Sequence, residues 1–234
     1  MRHVFQSLVL LAVAGGTLLL GEASAAAQTY YGPAYGPPPG YRVAPRYAAP
    51  SGYGYQTHDG FLLRVNVGFG YLTASEDYGG GDKVTYSGMG GSYGVAVGGA
   101  IFSNLILYGE VLGTTVGNAD YRDTGGAVGL SGYDVTMFGF GPGVAYYLEP
   151  ANVYFSGTLA FSKISFSDTD YGDSAGETDL GIGLSFMCGK EWWLTPDWGI
   201  GIAGRLHWAN MRDTLYDTRL NGLAVSLLFS ATYN

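Results

Sequence analysis

From Gly60 to Asn234 the chain repeatedly alternates apolar residues with small or polar ones, and the period of the alternation is two. The last fifteen residues set the pattern: Leu223, Val225, Leu227, Phe229, Ala231 and Tyr233 alternate with Gly222, Ala224, Ser226, Ser230 and Thr232, and only Leu228 breaks the rule. Successive side chains of a strand point to opposite faces, so this segment has one greasy face and one small, polar face. In a soluble sheet the greasy face packs on a core. In a bacterial outer membrane it faces lipid and the small face lines a lumen.

The same alternation predicts seven earlier strands. They run over about Gly60–Leu72, Met89–Phe102, Leu105–Val116, Tyr133–Leu148, Val153–Phe166, Leu180–Met187 and Trp198–Trp208. Arg64, Asn66, Gly68 and Gly70 oppose Phe61, Val65, Val67 and Phe69 in the first; Glu110 and Thr114 oppose Leu107 and Val111 in the third. In the fourth, Asp134 and Thr136 oppose Val135 and Met137, and Pro142 suggests a bulge because proline cannot donate to a ladder. The connections alternate long, short, long, short. Ser103-Asn104, Glu149 to Asn152 and Lys190 to Asp197 are the short turns; the polar segments 73–87, 117–132, 167–178 and 209–219 are the long ones. A sandwich has no reason to alternate connection lengths, whereas a transmembrane barrel has short turns at one end and long loops at the other. The predicted fold is all-β: an eight-stranded antiparallel up-and-down transmembrane barrel in which the last strand closes on the first.

Composition agrees with that pattern. In 234 residues there are 40 Gly and 20 Tyr against 11 Lys+Arg, too few charges to coat a soluble surface in the usual way. Mean hydropathy is +0.11, and a formal net charge of −8 disfavours nucleic acid as a partner. Residues 1–27 have the features of a cleaved secretory signal peptide: Arg2 and His3, an apolar run from Leu8 to Leu20, and small residues at Ala23 to Ala27. Residues 28–59 are rich in Pro, Tyr and Gly, have no core-forming pattern, and are expected to be a disordered periplasmic linker ahead of a barrel spanning 60–234. The single cysteine, Cys188, excludes an internal disulfide.

With these strands and the Gly189-Lys190-Glu191-Trp192-Trp193 turn, the chain resembles the small Gram-negative outer-membrane barrels of the OmpA-transmembrane-domain, OmpX and OmpW type. The resemblance implies a location in the bacterial outer membrane, with both termini periplasmic and the long loops extracellular. It implies lipid and lipopolysaccharide as surroundings, and the outer-membrane assembly machinery as a partner in biogenesis. That family usually ends in an aromatic residue; here Tyr233 is followed by Asn234.

The candidate chemistry is sparse. Arg64, Glu110, Asp134, Asp179, Arg205 and His207 fall on small faces and are expected to form a lumen ion-pair network, with Arg64 on Glu110 and Arg205 on Asp134 or Asp179. Trp192, Trp193, Trp198 and Tyr233 are expected in an interfacial aromatic girdle. Asp168, Asp170, Asp173 and Glu177 could hold a hard cation weakly, although Gly172 breaks the EF-hand spacing, so neither a metal nor a cofactor is assigned. His207 has no serine two residues along, as outer-membrane acyl-transfer sites would require, so an enzyme is not expected. The sequence therefore points to a non-enzymatic, monomeric barrel with a role in envelope integrity or in surface interaction through its loops. A narrow small-solute channel is the alternative.

Overall fold

The computed structural model describes residues 57–170, 174–213 and 218–234. The expected leader, and the linker as far as residue 56, lie outside the described residues. The strands are β1 (Phe61–Gly79), β2 (Asp82–Phe102), β3 (Leu105–Val116), β4 (Asp120–Asp123), β5 (Val128–Leu130), β6 (Tyr133–Leu148), β7 (Val153–Asp168), β8 (Ser174–Glu177), β9 (Gly181–Trp193), β10 (Trp198–Asp213) and β11 (Thr218–Tyr233). Three of these, β4, β5 and β8, are short strands within connections.

The other eight pair antiparallel with their neighbours, and β1 pairs with both β2 and β11, so the sheet closes into a barrel. Closure pairs every long strand on both sides, which removes the exposed edges that a sheet otherwise carries. The turns β2–β3, β6–β7 and β9–β10 lie at one end together with Phe61 and Tyr233, and the longer connections lie at the other. These are called the turn end and the loop end below.

The alternation places apolar side chains outside. Phe69 is 67% exposed and Leu227 60% exposed, while Arg64, Asn66 and Leu228 on the other face are 0% exposed. The exception in the β11 pattern, Leu228, thus belongs to the interior. The interior has an apolar cluster at each end. Leu72, Val116, Val135, Met137, Ile164 and Leu220 pack towards the loop end, and Leu62, Ile106, Ala145, Tyr147 and Tyr154 towards the turn end.

Large inward side chains are accommodated by glycines on neighbouring strands. A Cβ on Gly143 would overlap the ring of Tyr108, and one on Gly189 would lie 2.6 Å from Tyr154.

Several boundaries differ from the sequence expectation. Lys190, Glu191, Trp192 and Trp193 continue β9 in register with β10, and the turn is Leu194–Asp197. The polar segment 73–87 extends β1 and β2, which pair to within a two-residue turn at Gly80-Gly81. Much of 209–219 is likewise strand. On β6 the predicted faces are inverted near the loop end: Val135 and Met137 are 1% and 0% exposed and point inward. Pro142 introduces no shift in register, because the β3–β6 and β6–β7 pairings keep one register on either side of it. Finally, Thr57 to Asp59 are not linker: His58 is buried against the turn end of the barrel.

Candidate functional site: the barrel interior

Inward-facing positions of β1, β3, β9 and β10 carry the interior charges. Arg64 on β1 meets Glu191 on β9, with Nε 3.4 Å from Oε1 and both side chains buried. The Arg64 Nη2 group donates to the Tyr147 hydroxyl, which in turn donates to Glu191 Oε2 at 3.3 Å. Thr232 Oγ1 donates to Glu191 Oε1 at 2.7 Å, and the Arg64 guanidinium lies 4.1 Å from the centre of the Tyr154 ring. A planar cation over an aromatic face gains electrostatic stabilisation that increases when both are desolvated.

The second pair is Arg205 on β10 with Glu110 on β3, Nη2 to Oε1 at 2.8 Å. Arg205 Nη1 also donates to the Tyr93 carbonyl at 2.9 Å, and Thr158 Oγ1 donates to Glu110 Oε2 at 2.6 Å. Tyr108 joins this network through Thr158, and Ser226, Ser92 and Thr114 form a second chain of hydroxyls. Nearer the loop end, His207 Nε2 lies 3.1 Å from Ser162 Oγ. Burying an ion costs several kcal/mol, and a close partner with further hydrogen bonds offsets it. Glu110 and Glu191 each have both oxygens engaged in this way.

The pairing differs from the sequence expectation. Arg64 takes Glu191 rather than Glu110, and Arg205 takes Glu110 rather than Asp134 or Asp179. Asp134 lies outside the network, at the loop end, where its Oδ1 accepts from the Asn118 amide at 2.9 Å and from Thr169 Oγ1 at 3.2 Å. Asp179 is exposed, and its backbone N–H donates to the Arg212 carbonyl at 2.9 Å.

The aromatic group also divides. Trp192 and Trp198 face outward, and Trp198 meets Tyr233 edge-on at 5.3 Å. Trp193 instead leans on His58, with ring centroids 5.0 Å apart, so it caps the turn end and is not part of the girdle.

In the acidic loop, Asp168 Oδ1 accepts from the Asp170 amide at 2.9 Å, and Glu177 pairs with Lys163 at 2.7 Å; Asp173 lies outside the described residues. Among the described residues no group of three His, Cys, Asp or Glu gathers as a metal site.

Sequence reasoning missed Glu191, Tyr147 and His58. Glu191 was legible in principle, because Ser185, Met187, Gly189 and Glu191 continue the inward face of β9 without a break. His58 stacks on Tyr147 at 3.5 Å, its Nδ1 lies 2.7 Å from Asn234 Oδ1, and its Nε2 lies 2.9 Å from Asn152 Oδ1. The turn end is thereby closed by side chains from three separate segments.

A closed eight-stranded barrel with an apolar outside and a packed, charge-paired inside has the architecture of the small outer-membrane barrels. Among solved structures the chain is similar to neisserial surface protein A, at 17% identity and a TM-score of 0.53 over 75% of this chain and 97% of that one. It is also similar to the outer-membrane protein OprG of Pseudomonas aeruginosa, at 14% identity and a TM-score of 0.47 over 77% of this chain and 100% of that one. The first likeness is one of fold. No protein-family model matches the chain, and no curated protein sequence does.

Proposed function

We propose that the protein is an integral outer-membrane barrel without catalytic or conducting activity, acting in envelope structure or surface interaction through its loop end. The observation that carries this reading is the filled interior. Two buried ion pairs with saturated carboxylates span it, an apolar cluster follows towards the loop end, and His58 closes the turn end. An eight-stranded barrel has an interior just wide enough for its own side chains, so a network of this density leaves no continuous aqueous path.

The outward band of Phe, Leu, Val and Ile supports immersion in lipid, since monomeric soluble proteins rarely expose contiguous apolar surface on that scale. The clustering of short turns at one end supports a periplasmic turn end and an extracellular loop end. Lipid and lipopolysaccharide are then the surroundings of the barrel wall, and the assembly machinery its partner during insertion. The absence of catalysis is supported by the interior carboxylates: Glu110 and Glu191 bind arginines and threonines, so neither orients His207 as a base towards Ser162.

The test is planar-bilayer conductance of the refolded full chain, with folding established by a heat-modifiable gel shift. A silent bilayer is expected. Discrete openings whose ion selectivity changes when Arg64, Glu110 and Arg205 are neutralised together would overturn the reading in favour of a narrow channel.

A further inference from the structure

The outer wall of the barrel is not evenly covered. One outward row crosses β7, β9, β10 and β11 as Phe155, Cys188, Gly204 and Leu227, and its two middle members are small. Nothing stands within 4 Å of where a Cβ on Gly204 would point, and Cys188 is exposed. Larger side chains occupy the rows on either side: Phe186 and Leu206 towards the loop end, Lys190 and Ile202 towards the turn end. Two recesses result, of about 390 and 350 Å³, and they share Cys188 and Gly204. The first reaches Leu206 and Val225, the second Val153 and Lys190. From the Lys190 row to the Phe186 row the groove follows about 13 Å of strand, and one leaflet of hydrocarbon is about 15 Å deep.

A cation stands at the turn-end mouth of this groove. The half-buried Lys190 side chain lines the second recess, and its Nζ lies 5.7 Å from the centre of the Trp192 ring. Nζ donates to the Ala151 carbonyl, which leaves two of its three N–H groups for other partners. The ion pairs among the described residues do not include Lys190. Arg64 and Arg205 are inside the barrel, and the other described lysines and arginines lie towards the loop end. Lys190 is therefore the cation on the outside of the turn end among the described residues.

On the reading that the barrel spans the outer membrane with its turn end periplasmic, we propose that this wall groove binds one glycerophospholipid. An acyl chain lies over Cys188 and Gly204, and the phosphate meets Lys190 beside Trp192. Within hydrocarbon there is no hydrophobic gain from covering apolar surface, so the chain is held by dispersion contacts, which a recess supplies on several sides and a flat wall on one. The ammonium adds the selective part. A phosphate oxygen accepts its remaining N–H groups in a charge-assisted contact about twice as strong as a neutral one, at the level where Trp192 and Trp198 mark the headgroup boundary. Because Lys190 is at the turn end, the phosphate is that of a phospholipid in the turn-end leaflet and not that of lipopolysaccharide.

The test is native mass spectrometry of the refolded full chain, released from mild detergent micelles containing phosphatidylglycerol. One retained phospholipid per chain is expected, and diacylglycerol, with the same chains and no phosphate, is expected not to be retained. Lys190→Gln and Gly204→Phe are each expected to lower occupancy about tenfold. Gly109→Phe, at an outward glycine on β3 with equally open surroundings, is expected to leave it unchanged. Equal retention in all variants, equal retention of diacylglycerol, or no phospholipid on the unaltered chain each overturns the proposal. If Gly204→Phe does not fold, Lys190→Gln decides the matter. Insertion into vesicles is followed in parallel by the heat-modifiable gel shift. A chain that inserts but retains no phospholipid overturns this site alone, whereas a chain that does not insert overturns the membrane reading on which it rests.

Discussion

Arg64 and Glu191, from β1 and β9, meet with Nε 3.4 Å from Oε1 in the fully buried interior. Removing one member therefore leaves an uncompensated charge. Glu191→Ala is expected to cost about 3–5 kcal/mol, whereas Arg64→Met combined with Glu191→Leu is expected to cost clearly less. Urea titration of the folded protein, followed by tryptophan fluorescence, checks this. Equal losses in the single and double variants would contradict it.

The apolar band and the loop end should respond differently to charge. Leu227 points outward in the middle of the apolar band, so Leu227→Arg is expected to cost about 2–4 kcal/mol when the barrel folds into vesicles. Val128, exposed on the β4–β5 hairpin at the loop end, is expected to accept Arg within about 0.5 kcal/mol. The same vesicle titration measures both.

Tryptophan accessibility separates the outer band from the interior. In single-tryptophan variants, lipids brominated near the headgroup are expected to quench Trp192 and Trp198, which face outward, and to leave Trp193, against His58, largely unquenched. Strong quenching of Trp193 would put it in the girdle after all.

His58 joins the segment ahead of β1 to the end of β11 by way of Asn234. His58→Ala leaves the Asn152 and Asn234 side chains short of a partner and uncovers Tyr147, and is expected to cost about 1–3 kcal/mol. The bilayer is nevertheless expected to stay silent, because the apolar cluster towards the loop end remains intact. Chemical denaturation and conductance of the one variant test both statements.

The barrel was legible in the sequence because period two survives in every long strand and the short turns recur at every second connection. What resisted was local. Val135 and Met137 on β6 are apolar and point inward, beside Phe138 and Phe140 that point outward, so hydropathy could not separate the two faces there. Lys190 and Glu191 followed by two tryptophans resemble a polar turn, yet their parity fits β9, and the chain reverses at Thr195-Pro196-Asp197. The choice of partner for each arginine depends on strand tilt and side-chain reach across the barrel, and alternation along one strand carries no information on either. His58 stands just outside the alternating region, where only the three-dimensional closure gives it neighbours.

The rings of Tyr108 and Tyr154 occupy the space above Gly143 and Gly189, and this matching of bulk to emptiness has an evolutionary consequence. Neither member of such a couple can change size alone. Enlarging the glycine collides with the ring, and shrinking the ring leaves a void in a close-packed interior. Across descendants of this chain, the tyrosine and the glycine should therefore be inherited or exchanged together, as correlated substitutions between adjacent strands.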